Sequence, residues 1–201
     1  DGNDILMHGV SIDSCSVTKD NIYIAIDSRK YSNKDASIGF TGDEDGVFGL
    51  GGTKDGHRYF EEAYSNGARS FIIDNKEFID ELTQYTDAWI LLVDDSMNAL
   101  GKLARYYVNQ LRVKTIGITG SIGKTSTAFA VAACLEPYFQ VKQFYRTSIT
   151  FVGLAIDILN KLTPKDDFLV IEMQTDRPGQ LEKYCEIISP NFSLITAIQN
   201  S

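Results

Sequence analysis

A chain of 201 residues, 43% hydrophobic and 23% charged, has an ordinary globular composition with room for one large domain or two small ones. Its net charge of −8 and pI near 4.7 offer no basic stripe for nucleic acid, so Mg²⁺ would have to mediate contact with an anionic substrate. No apolar run approaches the roughly 20 residues that span a bilayer, and the first residues do not resemble a signal peptide. Cys15, Cys134 and Cys185 are too few and too widely spaced for a zinc site or a disulfide framework. A reducing cytoplasm is the expected compartment, with Cys134 and Cys185 as small core residues of helices.

The polar, glycine-containing stretch from Tyr31 to Gly46 reads as a surface loop or insertion. Tyr59 to Ser65 follows as a helix ended by Asn66-Gly67, and strands are expected over 68–73 and 87–93. From Met97 to Leu111, the residues Leu100, Leu103, Ala104, Tyr107 and Leu111 recur at helical spacing. These elements make a small N-terminal α/β domain over 1–111. From Lys114 the alternation tightens: strands at 115–119, 140–144, 168–173 and 192–198 alternate with helices at 124–135, 151–162 and 178–188. Short apolar strands separated by helices of this length predict a parallel sheet of βαβ units. Such a sheet needs both faces covered, and its last strand ends near Ser201, so the second domain, 112–201, reads as incomplete.

The run from Thr115 to Thr127 carries the chemistry. An apolar strand breaks into Gly120-Ser121-Ile122-Gly123 and closes on Lys124-Thr125-Ser126 at the start of a helix. Backbone N–H groups and the positive end of a helix then converge where a polyphosphate is the natural guest. The pattern departs from G-x-x-x-x-G-K-[ST] only at Ile118, which stands in place of the first glycine. It assigns Gly120, Ser121, Gly123, Lys124, Thr125 and Ser126 to nucleotide, with Lys124 on the β/γ-phosphates and the Thr125 hydroxyl on Mg²⁺. A partner carboxylate is expected where a neighbouring buried strand exits, and Phe168-Leu169-Val170-Ile171-Glu172 supplies one. Lys124 and Glu172 are therefore the candidate catalytic residues. Asp176 and Arg177 lie in the loop that follows and are further substrate-contact candidates. With His8 and His57 as the only histidines, histidine-based catalysis has little support.

Several segments in order resemble the Mur ligases, the ATP-dependent amide-bond ligases of peptidoglycan precursor synthesis. Ile118 to Thr125 is similar to the family's TGxxGKT loop, and Asp27-Ser28-Arg29-Lys30 to its N-terminal DSRK. Val47 to Gly52 followed by Asp55-Gly56-His57 resembles FxALxGxxxDGH. Glu172-Met173, Pro178 to Leu181, Ile187 to Pro190 and Ile195 to Ile198 resemble a later stretch, most like the branch that adds D-alanyl-D-alanine to a UDP-muramoyl tripeptide. The resemblance implies ATP and Mg²⁺, an acyl-phosphate route, and a UDP-sugar site in the first domain using Ser28, Arg29, Asp55, Gly56 and His57. His57 reads equally well as a turn residue capping the helix after it. The chain departs from the family at Thr147 to Ala155, which lacks the usual asparagines, and at the 31–46 insertion. Asp13-Ser14-Cys15 competes with Asp27-Ser28-Arg29 for the DSR position. The family's second-metal histidine, modified lysine and C-terminal domain would fall after Ser201. A Mur-like protein that binds without ligating, and an unrelated P-loop kinase or NTPase, are the alternative readings.

Overall fold

In the computed structural model, residues 8–31, 55–144, 150–174 and 179–199 are described. They form two compact units, one ending at Leu100 and the other beginning at Gly101. That boundary falls within one helix, Ser96–Leu111, whose far end is the expected domain boundary.

The first unit is a parallel sheet in the order β1 (Val10–Ser11), β2 (Ile22–Ile24), β3 (Ser70–Ile73) and β4 (Trp89–Leu92). α1 (Phe60–Ser65), α2 (Ile79–Leu82) and the start of α3 (Ser96–Leu111) belong with it. Tyr23, Phe60 and Phe71 meet edge to face in its core, with centroids 5.7 to 6.2 Å apart, the arrangement that ring quadrupoles favour. β1 and β2 are not among the sequence-derived strands. Two and three residues are too short for a period-two pattern to show.

The second unit is a parallel sheet in the order β6 (Val141–Phe144), β7 (Phe168–Glu172), β5 (Lys114–Thr119) and β8 (Phe192–Ile195). The connecting helices are α4 (Lys124–Leu135), α5 (Phe151–Lys161) and α6 (Gln180–Ile188). Right-handed connections place α4 on one face, with α5 and α6 together on the other. Ala128 and Ala132, one turn apart, seat α4 against Ile116, Ile118 and Val170. Cys134, two positions beyond Ala132, points the other way and is exposed, so the core placement expected of it is wrong. Cys185 is half-buried. The order puts β5 between β7 and β8 in the registers Ile118↔Glu172 and Thr119↔Ile195. Three strand ends therefore open at one edge, the place where open parallel sheets bind ligands.

Candidate functional site

At that edge the chain turns from β5 into α4 through Gly120 and Gly123, both in the left-handed region at φ 136° and 82°. Gly123 is the N-cap of α4, and no side chain caps the helix. The first intrahelical bond runs from Thr127 N–H to the Gly123 carbonyl. Lys124, Thr125 and Ser126 thus precede the helical ladder, and their N–H groups stand where an anion is stabilised by the helix end. The Lys124 ammonium is half-buried and donates to the Gly120 carbonyl oxygen at 2.8 Å, holding its charge over the loop. Thr125 Oγ1 donates to Glu172 Oε2 at 2.7 Å, and Gln174 Nε2 donates to Glu172 Oε1 at 3.3 Å.

The pairing expected from sequence is therefore present: the Gly-Lys-Thr turn and the strand-end carboxylate share one edge and are in contact. Mg²⁺ suits such a pair, because it takes one or two protein oxygens and fills its remaining positions with water and phosphate. No group of three or more histidine, cysteine or acidic residues that could cage a metal occurs among the described residues.

Ser121 has a different placement from the other loop residues. Its N–H donates to the Ala197 carbonyl at 2.7 Å, and its Oγ accepts from Gln199 N–H at 3.1 Å. Both polar handles face the turn after β8. Thr196 lies against the same loop, its hydroxyl 2.6 Å from the Ile122 carbonyl and 3.2 Å from that of Thr119. A Cβ on Gly120 would collide with Thr196 Oγ1 and the Ala197 backbone, so this glycine is fixed by packing as well as by its φ. Thr196 and Ala197 are absent from the sequence-derived site. The available signal was a hydroxyl residue directly after the strand that ends beside the loop. Asp176 and Arg177 lie outside the described residues.

The other candidate residues gather in the first unit. Asp27 and Asp55 form an isolated antiparallel bridge, and Arg29 clamps both carboxylates, with Nε 2.7 Å from Asp27 Oδ1 and Nη2 2.8 Å from Asp55 Oδ2. Gly56 sits so close to Ile26 that a Cβ would meet its backbone. The His57 ring is fully enclosed, stacked on Phe78 at 5.3 Å. Its Nδ1 is 2.7 Å from Asp55 Oδ1, and its Nε2 is 3.2 Å from Asp74 Oδ1. Lys30 Nζ reaches the same Asp74 oxygen at 2.7 Å, while Ser96 N–H donates to Asp74 Oδ2. Burial depresses the His57 pKa, but its bonds to Asp74 and Asp55 outweigh burial and raise it. Burial likewise opposes ionisation of Asp74, yet His57, Lys30 and Ser96 N–H lower its pKa to about 2. A neutral His57 would accept from Asp74 N–H at 3.3 Å; between two carboxylates, the protonated ring that donates from both nitrogens is favoured. Asp13 and Cys15 form a separate turn between β1 and β2, where Cys15 N–H donates to Asp13 Oδ1. Ser14 Oγ donates there to Glu62 Oε2.

Residues 118–201, which begin at the end of β5 and take in the glycine loop and Glu172, match the Mur ligase middle domain. The chain as a whole is similar to Mur ligases. It is 28% identical over 172 residues to the UDP-N-acetylmuramoyl-tripeptide–D-alanyl-D-alanine ligase of Rickettsia prowazekii, covering 86% of this chain and 36% of that one. A UDP-N-acetylmuramoyl-L-alanyl-D-glutamate–2,6-diaminopimelate ligase of Clostridium botulinum is 36% identical over 130 residues, covering 64% of this chain and 24% of that one. Among solved structures, MurF ligase from Thermotoga maritima in complex with ADP superposes with a TM-score of 0.72 at 25% identity, covering 98% of this chain and 39% of that one. The chain thus spans little more than a third of the Rickettsia and Thermotoga proteins. The parallel α/β architecture of each unit is consistent with the Mur ligase fold.

Proposed function

We propose that this chain supplies the nucleotide-handling edge of an ATP-dependent Mur ligase that adds D-alanyl-D-alanine to a UDP-muramoyl tripeptide in the cytoplasm. The contact between Thr125 and Glu172 beside an uncapped helix start carries the reading. The β- and γ-phosphates would lie on the N–H groups of Gly123 to Ser126, and Lys124 would exchange the Gly120 carbonyl for phosphate oxygen. Thr125 and Glu172 would hold Mg²⁺, which neutralises phosphate charge. In the reaction implied, the substrate carboxylate attacks the γ-phosphorus and ADP leaves; the amine then displaces phosphate from the acyl phosphate. Lys124, fixed where negative charge grows, favours the transition state over the ground state.

In the first unit, the half-exposed Arg29 guanidinium would meet the UDP-sugar, with the buried Ser28 and with Asp55, Gly56 and His57 shaping that turn from within. The test is phosphate release by the full protein bearing this chain, given ATP, Mg²⁺, UDP-muramoyl tripeptide and D-alanyl-D-alanine. Turnover that depends on the dipeptide is expected. The higher identity to the diaminopimelate ligase favours one second reading, so UDP-muramoyl dipeptide with diaminopimelate is run alongside. Turnover only in that arm would replace the D-alanyl-D-alanine assignment, and turnover in neither would remove the ligase reading.

A further inference from the structure

A peptide plane has two ends: fixing a carbonyl on one side sends the following N–H to the other. Thr196 Oγ1, 2.6 Å from the Ile122 oxygen, fixes the Ile122–Gly123 plane, so Gly123 N–H points away from Thr196. The Ala197 carbonyl accepts from Ser121 N–H at 2.7 Å and fixes the Gly120–Ser121 plane. The Gly120 oxygen of that same plane is the one that holds the Lys124 ammonium at 2.8 Å. Gln199 N–H closes the clasp on Ser121 Oγ. The turn therefore sets both planes of the loop, and Gly120 has no side chain that could keep it at a distance.

We infer that Thr196 is a positioning residue for nucleotide binding: through the Ile122 carbonyl it turns Gly123 N–H toward the phosphates, and with Ala197 it keeps the loop poised. This rests on the nucleotide reading of the loop. Ser121, by the same geometry, belongs to the clasp and not to the phosphate contacts. The experiment is titration of the 201-residue chain with Mg·ADP by calorimetry, using the parent, Thr196→Val, Thr196→Ser and Lys124→Ala. Thr196→Val keeps the shape and removes the hydroxyl, and should weaken binding about fivefold, the usual effect of losing one hydrogen bond of roughly 1 kcal/mol. Thr196→Ser restores the hydroxyl and should bind within about twofold of the parent. Loss of binding in Lys124→Ala with unchanged affinity in Thr196→Val would overturn the positioning role and leave the nucleotide reading standing. A parent that does not bind, or a Lys124→Ala chain that binds like the parent, would overturn both. If Thr196→Val melts before titration, Thr196→Ala is titrated in its place, and unchanged affinity there would equally overturn the role.

Discussion

Glu172 holds two neighbours with one carboxylate, accepting from Thr125 Oγ1 and from Gln174 Nε2. Glu172→Gln keeps the shape but removes the charge that a hard cation requires. The Mg²⁺ concentration for half-maximal ADP binding should rise about tenfold, while metal-free ADP affinity stays within about twofold. Overlaid Mg²⁺ titrations of mutant and parent would make Glu172 a bystander. This pairing was legible in the sequence because both halves are local patterns, a glycine turn before a helix and an acid ending an apolar strand. Thr196 was not legible. Its role depends on β8 lying next to β5, a register that no local pattern states. His57 shows the opposite case: the sequence marks the residue, but only the fold shows its ring enclosed between Asp55 and Asp74.

The elements of the second unit were readable because each helix is long enough to show its period and each inner strand is an apolar run. α4 was found over its full span, Lys124–Leu135, yet its apolar residues run all round the helix. Period alone could not say which face is inside, which is why Cys134 was misplaced. β8 is the edge strand of its sheet, and Phe192, Leu194 and Ile195 are 54%, 41% and 63% exposed. An edge strand with free backbone groups and apolar side chains is a template for pairing. The 201-residue chain should therefore associate as its concentration rises. Leu194→Lys places a charge on that edge and should shift sedimentation toward the monomer. A parent that sediments as a monomer at every concentration would show that this edge does not drive association.

At the scale of the whole molecule, stability across pH is set by the titratable groups whose pKa differs between the folded and unfolded chain, the buried and paired ones. Asp74 is the chief of these, joined by Asp27, whose pKa is lowered chiefly by its bond from Arg29. For a carboxylate with a depressed folded pKa, the stabilisation is present above its unfolded value near 3.8 and is lost as pH falls toward 2. That shift is worth on the order of 2 kcal/mol, roughly 10 °C of Tm for a unit of about a hundred residues. His57 has the opposite sign. Its folded pKa is raised above the ordinary 6.5, so its contribution is complete below 6.5 and is lost as pH climbs through the raised value. The two together predict a plateau of Tm between about pH 4 and 6.5, with a fall on each side. His57→Gln should lower the plateau and flatten the alkaline limb, and, because the ring is also one of the groups holding Asp74 ionised, move the acid limb upward in pH. Lys30→Met, which removes one of the three partners holding Asp74 ionised, should move the acid limb upward in pH. Thermal melts followed by circular dichroism from pH 2.5 to 9 separate these outcomes. A parent Tm that stays level from pH 6 to 8.5 would mean that His57 keeps one charge state throughout and that the Asp55–His57–Asp74 chain does not set the alkaline limit.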